Sequence, residues 1–232
     1  RVTDHIANPN SKLPRQRFWT IRAKHIILAS GALERHVAFN NNDIPGVMTV
    51  NASRHYLNRY GILTGNNIVI TTNNDSVYQT ALELQEAGSK VTILDSRKNV
   101  NLDLPKEIDV HLNTLPFSIN GRKKIEGLDV CKATDKNNKN TIICDQVLIS
   151  GGWSPIVNLV SHRGIKPTWN QENLCFVPGD IKENITVVGS AKGIWNKNDC
   201  IESGLVGAHE AMNTLGIHKK EISFPSVGGW LN

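Results

Sequence analysis

The sequence predicts an α/β fold in which a complete β-α-β unit interrupts two flanking stretches of a single sheet. Residues 68–97 read as strand, turn, helix and strand. Before them an apolar strand ends at Ser30-Gly31-Ala32, and after them another ends at Gly189-Ser190-Ala191. Strands that alternate with helices form parallel sheets, so this order favours an α/β chain with an inserted unit.

Each element follows from a local pattern. The apolar run at 26–29 predicts a buried strand, and a helix is predicted near 50–60 because Val50, Ser53 and Leu57 fall on successive turns before Gly61. The inserted unit has a strand at 68–71, a helix at 77–86 and a strand at 91–94. Further short strands are predicted at 109–112, 124–128, 141–144, 146–150 and 185–188. A last helix is predicted at 199–215, with Ile201, Leu205, Ala208 and Met212 facing inward.

Composition excludes several functional classes. The 232 residues are 39% hydrophobic, enough for an ordinary core, and no apolar run approaches the roughly 20 residues that span a bilayer, so no membrane segment is predicted. The net charge of +5 is spread among almost as many acidic residues, without interleaved aromatics, so nucleic-acid binding is not predicted. The basic runs at 121–124 and 136–139 are predicted to be hairpin tips.

Cysteine and histidine spacing predicts neither a metal site nor a catalytic triad. The four cysteines are far apart and form no Cys-x-x-Cys pair, which favours reduced thiols in the cytoplasm. No catalytic residue is assigned.

The tryptophans and the start of the chain give two further predictions. Trp153, Trp169, Trp195 and Trp230 are predicted to be core or subunit-interface residues. Because the chain starts at Arg1 with alternating strand-like residues, we expect a piece of a longer polypeptide, which can self-associate through an uncovered sheet edge.

The turn of the inserted unit departs from a nucleotide-binding pattern. A glycine-rich turn lets a pyrophosphate approach a helix N-terminus, whereas here the turn is Thr72-Asn73-Asn74-Asp75-Ser76. Its side chains fill that space, and Asp75 or Ser76 is predicted to cap the following helix. Asp95 stands where an acidic residue would bind a ribose, but without a phosphate cradle it is interpreted as a solvated strand end. The inserted unit is therefore predicted to be a scaffold with a closed site.

The order of the motifs is that of flavoproteins with two dinucleotide-binding domains, and several stretches resemble a particular family. Five short motifs resemble motifs of the alpha subunit of heterotetrameric sarcosine oxidase. The resemblance extends over about residues 15–232. The motifs are Gly31-Ala32-Leu33-Glu34-Arg35, Asn41-Asn42-Asp43-Ile44-Pro45-Gly46-Val47-Met48, Tyr56-Leu57-Asn58-Arg59-Tyr60-Gly61, Thr72-Asn73-Asn74-Asp75-Ser76 and Ser150-Gly151-Gly152-Trp153-Ser154-Pro155.

The resemblance implies a domain division and a set of cofactors. Residues 1–64 and 153–232 would form a partial FAD/NAD-type nucleotide domain, and 65–152 an inserted Rossmann-like domain with a degenerate glycine motif. NAD would be held mostly by an upstream GxGxxG segment, FAD and FMN by the beta subunit or its interface, and tetrahydrofolate by a C-terminal half. The implied partners are the beta, gamma and delta subunits, in a complex that demethylates sarcosine oxidatively to glycine and hydrogen peroxide and transfers one carbon to tetrahydrofolate.

Within this chain the resemblance implies a cofactor-lining site at Gly31, Ala32, Gly189, Ser190 and Ala191. Related flavoproteins have Gly-Asp where this chain has Gly189-Ser190, and their carboxylate binds a ribityl hydroxyl. Ser190 therefore fits a bound nucleotide other than FAD, and the resemblance implies that this nucleotide is NAD. The alternative is that these are only tight turns. Glu34 and Arg35 could contact the nucleotide, form an interface ion pair or be ordinary surface residues.

Two other functions stay open at this point. One is a role within a related amine, opine or glycine dehydrogenase with another electron acceptor, and the other is a structural module whose nucleotide sites no longer bind. An iron-sulfur segment in the flanking chain would favour the first, and failure to bind any dinucleotide would favour the second.

Overall fold

The computed structural model describes residues 2–3, 16–101 and 108–217. The strands are β1 (Val2–Thr3), β2 (Gln16–Arg17), β3 (Ile26–Leu28), β4 (Ala32–Glu34), β5 (Val47–Thr49), β6 (Asn67–Thr72), β7 (Lys90–Asp95), β8 (Asp109–Leu112), β9 (Thr114–Gly121), β10 (Ile125–Lys132), β11 (Asp135–Ile142), β12 (Gln146–Ser150), β13 (Trp153–Pro155), β14 (Thr168–Asn170), β15 (Cys175–Val177) and β16 (Ile185–Val187). The helices are α1 (Val50–Tyr60), α2 (Val77–Glu86), α3 (Asn158–Ser161) and α4 (Lys197–Thr214), with a 3-10 turn at Gly189–Lys192.

The chain forms two compact units, which we describe separately. The larger unit contains residues 32–156 and 169–176, and the smaller one draws its described residues from 1–31, 157–168 and 177–232. Among the residues described, no helix combines the length and the apolar character that crossing a membrane requires.

A five-stranded parallel sheet forms the centre of the larger unit, in the order β5-β12-β6-β7-β8. Strands β6, β7 and β12 are almost entirely buried, because both faces of the sheet are covered. Helices α1 and α2 cover one face, where Val77, Leu84 and Ile93 are fully buried. The antiparallel sheet β9-β10-β11 covers the other face through residues such as Ile119 and Leu128. The larger unit is therefore a three-layer α/β/β sandwich.

The predicted helices of the larger unit are confirmed. Helix α1 begins after Thr49, whose side chain accepts a hydrogen bond from the Ala52 amide, and ends at Gly61 in a left-handed conformation with φ +65°. Helix α2 spans Val77–Glu86, as its apolar spacing predicts. The prediction for the basic run at 136–139 is wrong, because these residues lie within β11 and the turn is at 133–134.

In the smaller unit β3 and β16 pair in parallel, with Ile26 opposite Ile185, so the two flanking stretches share a sheet as predicted. The predicted burial of β3 is wrong in part, because Ile26 and Ile27 are each 42% exposed. The inward face predicted for α4 is also wrong in part, since Ile201 and Ala208 are exposed and Gly207 is buried. A methyl group at Gly207 would lie 2.5 Å from Val188 Cγ1, so the helix backbone packs directly on the strand.

The described members of the predicted tryptophan set do not lie in a core, and the alternative of a subunit interface stays a prediction. Trp169 is 51% exposed and stacks edge-on against Phe176, while Trp195 is 38% exposed. Trp153 is half-buried, and Trp230 lies outside the described residues.

Candidate functional site

Four of the five predicted site residues come together in the smaller unit, at the carboxyl ends of β3 and β16. Gly31 follows β3 with φ +79°, and the turn Gly189–Lys192 follows β16, where Gly189 has φ +64°. A Cβ built on Gly31 would lie 3.9 Å from Ser190 Oγ, so the two turns are neighbours. Ala32 begins β4 in the larger unit, where it pairs with Pro155.

Helix α4 and a small apolar cluster hold the Gly189 turn in place. Ser203 Oγ, on α4, accepts a hydrogen bond of 3.2 Å from the Gly189 amide. Ala191 is fully buried in a cluster with Val160 and Val187. Sequence reasoning missed Ser203, although its position nearly two turns inside a helix that follows a glycine-rich turn is a usable signal. The turn is therefore held on one side by α4 and on the other by the apolar cluster.

This geometry is compatible with a bound nucleotide. Both glycines have positive φ, a conformation that glycine adopts without steric cost, and neither places a side chain at the strand ends. Near Gly31 lies the small side chain of Ser190, whose hydroxyl can donate or accept a hydrogen bond. Parallel sheets bind ligands in such crevices at the carboxyl ends of their strands.

The turn of the inserted unit, at 72–76, is filled by its own side chains. Asn74 Nδ2 donates to the Ser150 carbonyl and hydroxyl oxygens, both at 3.2 Å. Asn74 Oδ1 accepts from the Ser76 amide at 3.1 Å and from its hydroxyl at 2.6 Å. Trp153 Nε1 donates to Ser76 Oγ at 3.1 Å. Side chains and an indole therefore occupy the space that a glycine-rich turn leaves for a pyrophosphate.

The predicted helix cap in this turn is only partly right. Ser76 occupies the N-cap position of α2, but its side chain makes no capping bond; its hydroxyl donates to Asn74 and accepts from Trp153 Nε1. Asp75 instead forms an ion pair with Arg97, with 2.6 Å between Oδ1 and Nη1.

The interpretation of Asp95 as a solvated strand end is wrong. Its side chain is fully buried and accepts hydrogen bonds from the Tyr78 hydroxyl at 2.9 Å and from Arg97 Nη2 at 2.8 Å. Burial and the bond to Asp95 raise the pKa of Tyr78, and the bonds to Asp95 and Asp75 raise the pKa of Arg97. The acidic position that a Rossmann-type unit uses for a ribose is therefore satisfied internally.

Glu34 and Arg35 both have partners within the larger unit. Glu34 Oε2 accepts a hydrogen bond of 2.8 Å from the Asn51 amide in the first turn of α1. Burial raises the pKa of Glu34, although bonds from Asn51, Ser150 and Thr49 act in the opposite direction. Arg35 Nη1 donates to the Leu174 carbonyl at 2.8 Å. Both contacts lie within the larger unit, and the three predicted roles, a nucleotide contact, an interface ion pair or an ordinary surface residue, stay predictions.

An open groove of about 570 Å³ lies along the outer face of α1. We call it the aromatic groove. Sequence reasoning did not single it out, although Tyr56 and Tyr60 are four residues apart and so lie on one helix face. It is lined by Thr49, Asn51, Ala52, His55, Tyr56, Tyr60 and Ile62.

Titratable clusters and thiols in the described ranges do not form a second site. No group of three or more histidine, cysteine or acidic residues among them could hold a metal ion. All four cysteines are free, and burial raises the pKa of Cys144 to about 11. Such a thiol is a poor nucleophile near neutral pH.

No family model matches the chain, but it aligns with curated relatives. It is 36% identical to the alpha subunit of sarcosine oxidase from Rhizobium meliloti (strain 1021) and 31% identical to that from Corynebacterium sp. (strain U-96), each over 94% of the chain. The predicted resemblance to the sarcosine oxidase alpha subunit is confirmed. The chain spans only 22% and 24% of the lengths of these two relatives. It is also 25% identical to an opine oxidase subunit of Rhizobium meliloti, over 85% of the chain and 43% of that relative.

Solved structures confirm the predicted fold. Lactococcus lactis thioredoxin reductase matches 83% of the chain and 66% of its own with a TM-score of 0.64 and 20% identity. L-proline dehydrogenase from P. horikoshii matches 85% of the chain and 36% of its own with a TM-score of 0.62 and 23% identity. The chain therefore has the α/β fold of FAD/NAD-binding oxidoreductases, of which it resembles a part. At this identity the likeness establishes the fold alone.

Proposed function

We propose that this chain is the central region of a sarcosine oxidase alpha-like subunit of the cytoplasm. In this proposal it binds NAD and supports assembly of a complex with beta, gamma and delta subunits. The complex demethylates sarcosine oxidatively to glycine, produces hydrogen peroxide and passes one carbon to tetrahydrofolate. The single observation that carries the proposal is the similarity to sarcosine oxidase alpha subunits over 94% of the chain.

The nucleotide belongs to the flanking domain in this proposal. We keep the division into a partial nucleotide domain, 1–64 and 153–232, around an inserted domain, 65–152. Gly31 and Gly189 would let the nucleotide approach the backbone, and the Ser190 hydroxyl would bond to it. NAD would supply a nicotinamide ring able to exchange hydride. FAD and FMN would be held by the beta subunit or at its interface, and tetrahydrofolate by a C-terminal half.

The packing around the turn supports this assignment. Ser203 fixes the Gly189 amide, and the close contact of Gly207 with Val188 brings α4 onto β16. The turn is therefore held by rigid elements before any ligand arrives, a condition that favours binding because less conformational freedom is lost. The turn at 72–76 in the inserted unit is not available to a ligand in this way, since the polar groups of Asn74 and Ser76 already bond to each other.

A second candidate is a role within an opine-oxidising or related amine-oxidising enzyme. The similarity to the opine oxidase subunit of Rhizobium meliloti, although weaker at 25%, covers 85% of this chain and favours this candidate specifically. The substrate distinguishes the two, because the sarcosine enzyme must act on a small N-methyl amine.

The test is an assay on the enzyme purified from its natural source through a tag on the full-length polypeptide. We expect oxygen-dependent oxidation of sarcosine with hydrogen peroxide as a product, bound NAD released on denaturation, and methylene transfer when tetrahydrofolate is added. Oxidation of an opine with no turnover of sarcosine would overturn the proposal in favour of the second candidate. A preparation without any dinucleotide or oxidase activity would favour a purely structural module.

A further inference from the structure

One face of α4 lies against β16 and the turn that follows it. Cys200, Ser203 and Gly207 are three and four residues apart along the helix, so they share this face. The Ser203 hydroxyl accepts a hydrogen bond from the Gly189 amide, and Gly207 packs on Val188. The third residue of this face, Cys200, lies outside the set of proposed NAD contacts.

The Cys200 thiol bonds to both ends of the segment 189–194. Its Sγ donates a hydrogen bond of 3.2 Å to the Ile194 carbonyl and accepts one from the Ser190 amide. A Cβ built on Gly189 would lie 3.9 Å from both Sγ and Cβ of Cys200, so the helix touches the turn at this point. One sulfur atom therefore joins the start and the end of this segment.

The surroundings of Cys200 keep its thiol protonated. Burial and the neighbouring Asp199 carboxylate raise the pKa of Cys200 above its ordinary value, while the bond from the Ser190 amide acts in the opposite direction. Only the protonated thiol can donate to the Ile194 carbonyl. The same protonation makes the sulfur a poor nucleophile, so this cysteine is suited to hydrogen bonding rather than to redox chemistry.

Two consecutive amides of the turn are bonded by side chains of α4. Ser203 Oγ accepts from the Gly189 amide at 3.2 Å. Cys200 Sγ accepts from the next amide, which is that of Ser190. The Ser190 carbonyl in turn accepts from the Gly193 amide at 3.1 Å. Because the peptide groups on both sides of Ser190 are bonded, the place of its side chain is determined before a ligand arrives.

We propose that Cys200 is a positioning residue of the NAD site, which holds Ser190 beside Gly31 through the two bonds of its thiol. This inference rests on the proposed function, because it takes NAD as the ligand of this turn. Cys200 acts through Ser190 and makes no contact with the nucleotide. A ligand that bonds to a group already fixed in place loses less conformational freedom, so removing the thiol bonds weakens binding without removing a ligand contact.

The test is a set of three substitutions at Cys200 in the full-length polypeptide, with NAD affinity measured by calorimetric titration. Serine keeps a donor and an acceptor, valine keeps a similar volume without either, and alanine lacks both volume and polar atoms. Cysteine, serine and valine have similar helix propensities, so α4 itself changes little. We expect Cys200→Ser to bind NAD within about twofold of wild type, and Cys200→Val and Cys200→Ala to bind about fivefold more weakly, the effect of one lost hydrogen bond.

The order of these affinities distinguishes hydrogen bonding from packing. Cys131→Val makes the same replacement on β10 of the larger unit and is expected to leave NAD affinity unchanged. If Cys200→Val bound NAD like wild type and Cys200→Ser bound it weakly, packing alone would hold the turn and the proposal would be overturned. Equal NAD affinity in wild type and all three Cys200 variants would overturn it as well.

Hydrogen exchange of the amides at 189–194 separates this inference from the proposed function, since it needs no NAD. We expect the Ser190 amide to exchange faster in Cys200→Val than in wild type, and at nearly the wild-type rate in Cys200→Ser. If exchange follows this order but wild type binds no NAD, the thiol holds the turn and the proposed NAD site fails. If wild type binds NAD but exchange and affinity are the same in both variants, the NAD site stands and the role of Cys200 is refuted.

Discussion

The chain contains two turns that follow a parallel strand and lead toward a helix, and they differ in what occupies them. In the inserted unit, the turn between β6 and α2 is closed by Asn74, Ser76 and Trp153, which bond to one another or to nearby backbone. In the smaller unit, the turn after β16 has Gly189 at φ +64° and places the Ser190 hydroxyl near Gly31. The polar side chains of the first turn bond within their own unit, whereas the second turn begins with a glycine and a serine.

The comparison teaches that having a nucleotide-binding fold and having an open nucleotide site are separate properties. The parallel sheet and its helix are stabilised by apolar packing, so they persist when the turn changes. The turn determines access, because glycines leave room for a pyrophosphate and hydrogen-bonding side chains take that room. Asn74, Asp75 and Asp95 direct the groups that would face a ligand toward Ser150, Arg97 and Tyr78.

The largest effect that tests this comparison is expected at Asp95. Asp95→Ala leaves the Tyr78 hydroxyl without its buried partner and leaves Arg97 with Asp75 alone, and we expect a loss of about 2–4 kcal/mol in the free energy of unfolding. Urea denaturation measures this loss. The matched control is Asp109→Ala, which removes an exposed pair with His111 and should cost less than about 1 kcal/mol. If Asp95→Ala instead kept full stability and lost NAD affinity, Asp95 would be a ribose ligand and the closed-site account would be wrong.

A smaller effect is expected at Gly207, which sets the distance between α4 and β16. A methyl group there would lie 2.5 Å from Val188 Cγ1, so Gly207→Ala should destabilise the smaller unit by about 1–3 kcal/mol. Hydrogen exchange of the α4 amides reports this locally. Gly204→Ala, one turn earlier and with open space around its Cβ, should stabilise the helix or leave it unchanged. Equal protection in the two variants would mean that close packing does not hold the turn.

The smallest effect is a pH dependence at Glu34. Burial raises its pKa in the folded protein, so the protonated form is favoured by folding. The stability that this group contributes is therefore fully present below the ordinary glutamate pKa and is lost as the pH rises through the folded pKa. Wild type should lose stability relative to Glu34→Gln between about pH 4 and pH 7. If the difference in the free energy of unfolding between wild type and Glu34→Gln were the same at both pH values, Glu34 would not cause this pH dependence.

Local patterns predicted most of the fold. Helices α1 and α2 were predictable because apolar spacing and the stop at Gly61 lie within single segments. Only the end of β11 was predicted, as a strand at 141–144, because the polar sequence before it lacks alternation and forms a strand only by pairing with β10. The inward face of α4 was misjudged because its contact is made by Gly207, where a side chain is absent.

The sites were less predictable than the fold. The side chains that close the inserted turn were predicted to do so from their bulk, but the burial of Asp95 was not. Its partners Tyr78 and Arg97 come together only when α2 packs on the sheet. The aromatic groove was missed for a related reason, since exposed tyrosines on a helix have no periodic signal distinct from that of a core-facing stripe.

The central claim is that NAD binds at the flanking turn and not at the inserted one. Calorimetric titration of NAD into the full-length polypeptide tests it, with one carboxylate added to each turn in separate variants. Ser190→Glu should weaken binding at least tenfold because a negative charge beside Gly31 repels the pyrophosphate, while Asn73→Glu, on an exposed residue of the closed turn, should leave the affinity unchanged. Loss of binding in Asn73→Glu with normal binding in Ser190→Glu would place the dinucleotide in the inserted unit and contradict the account.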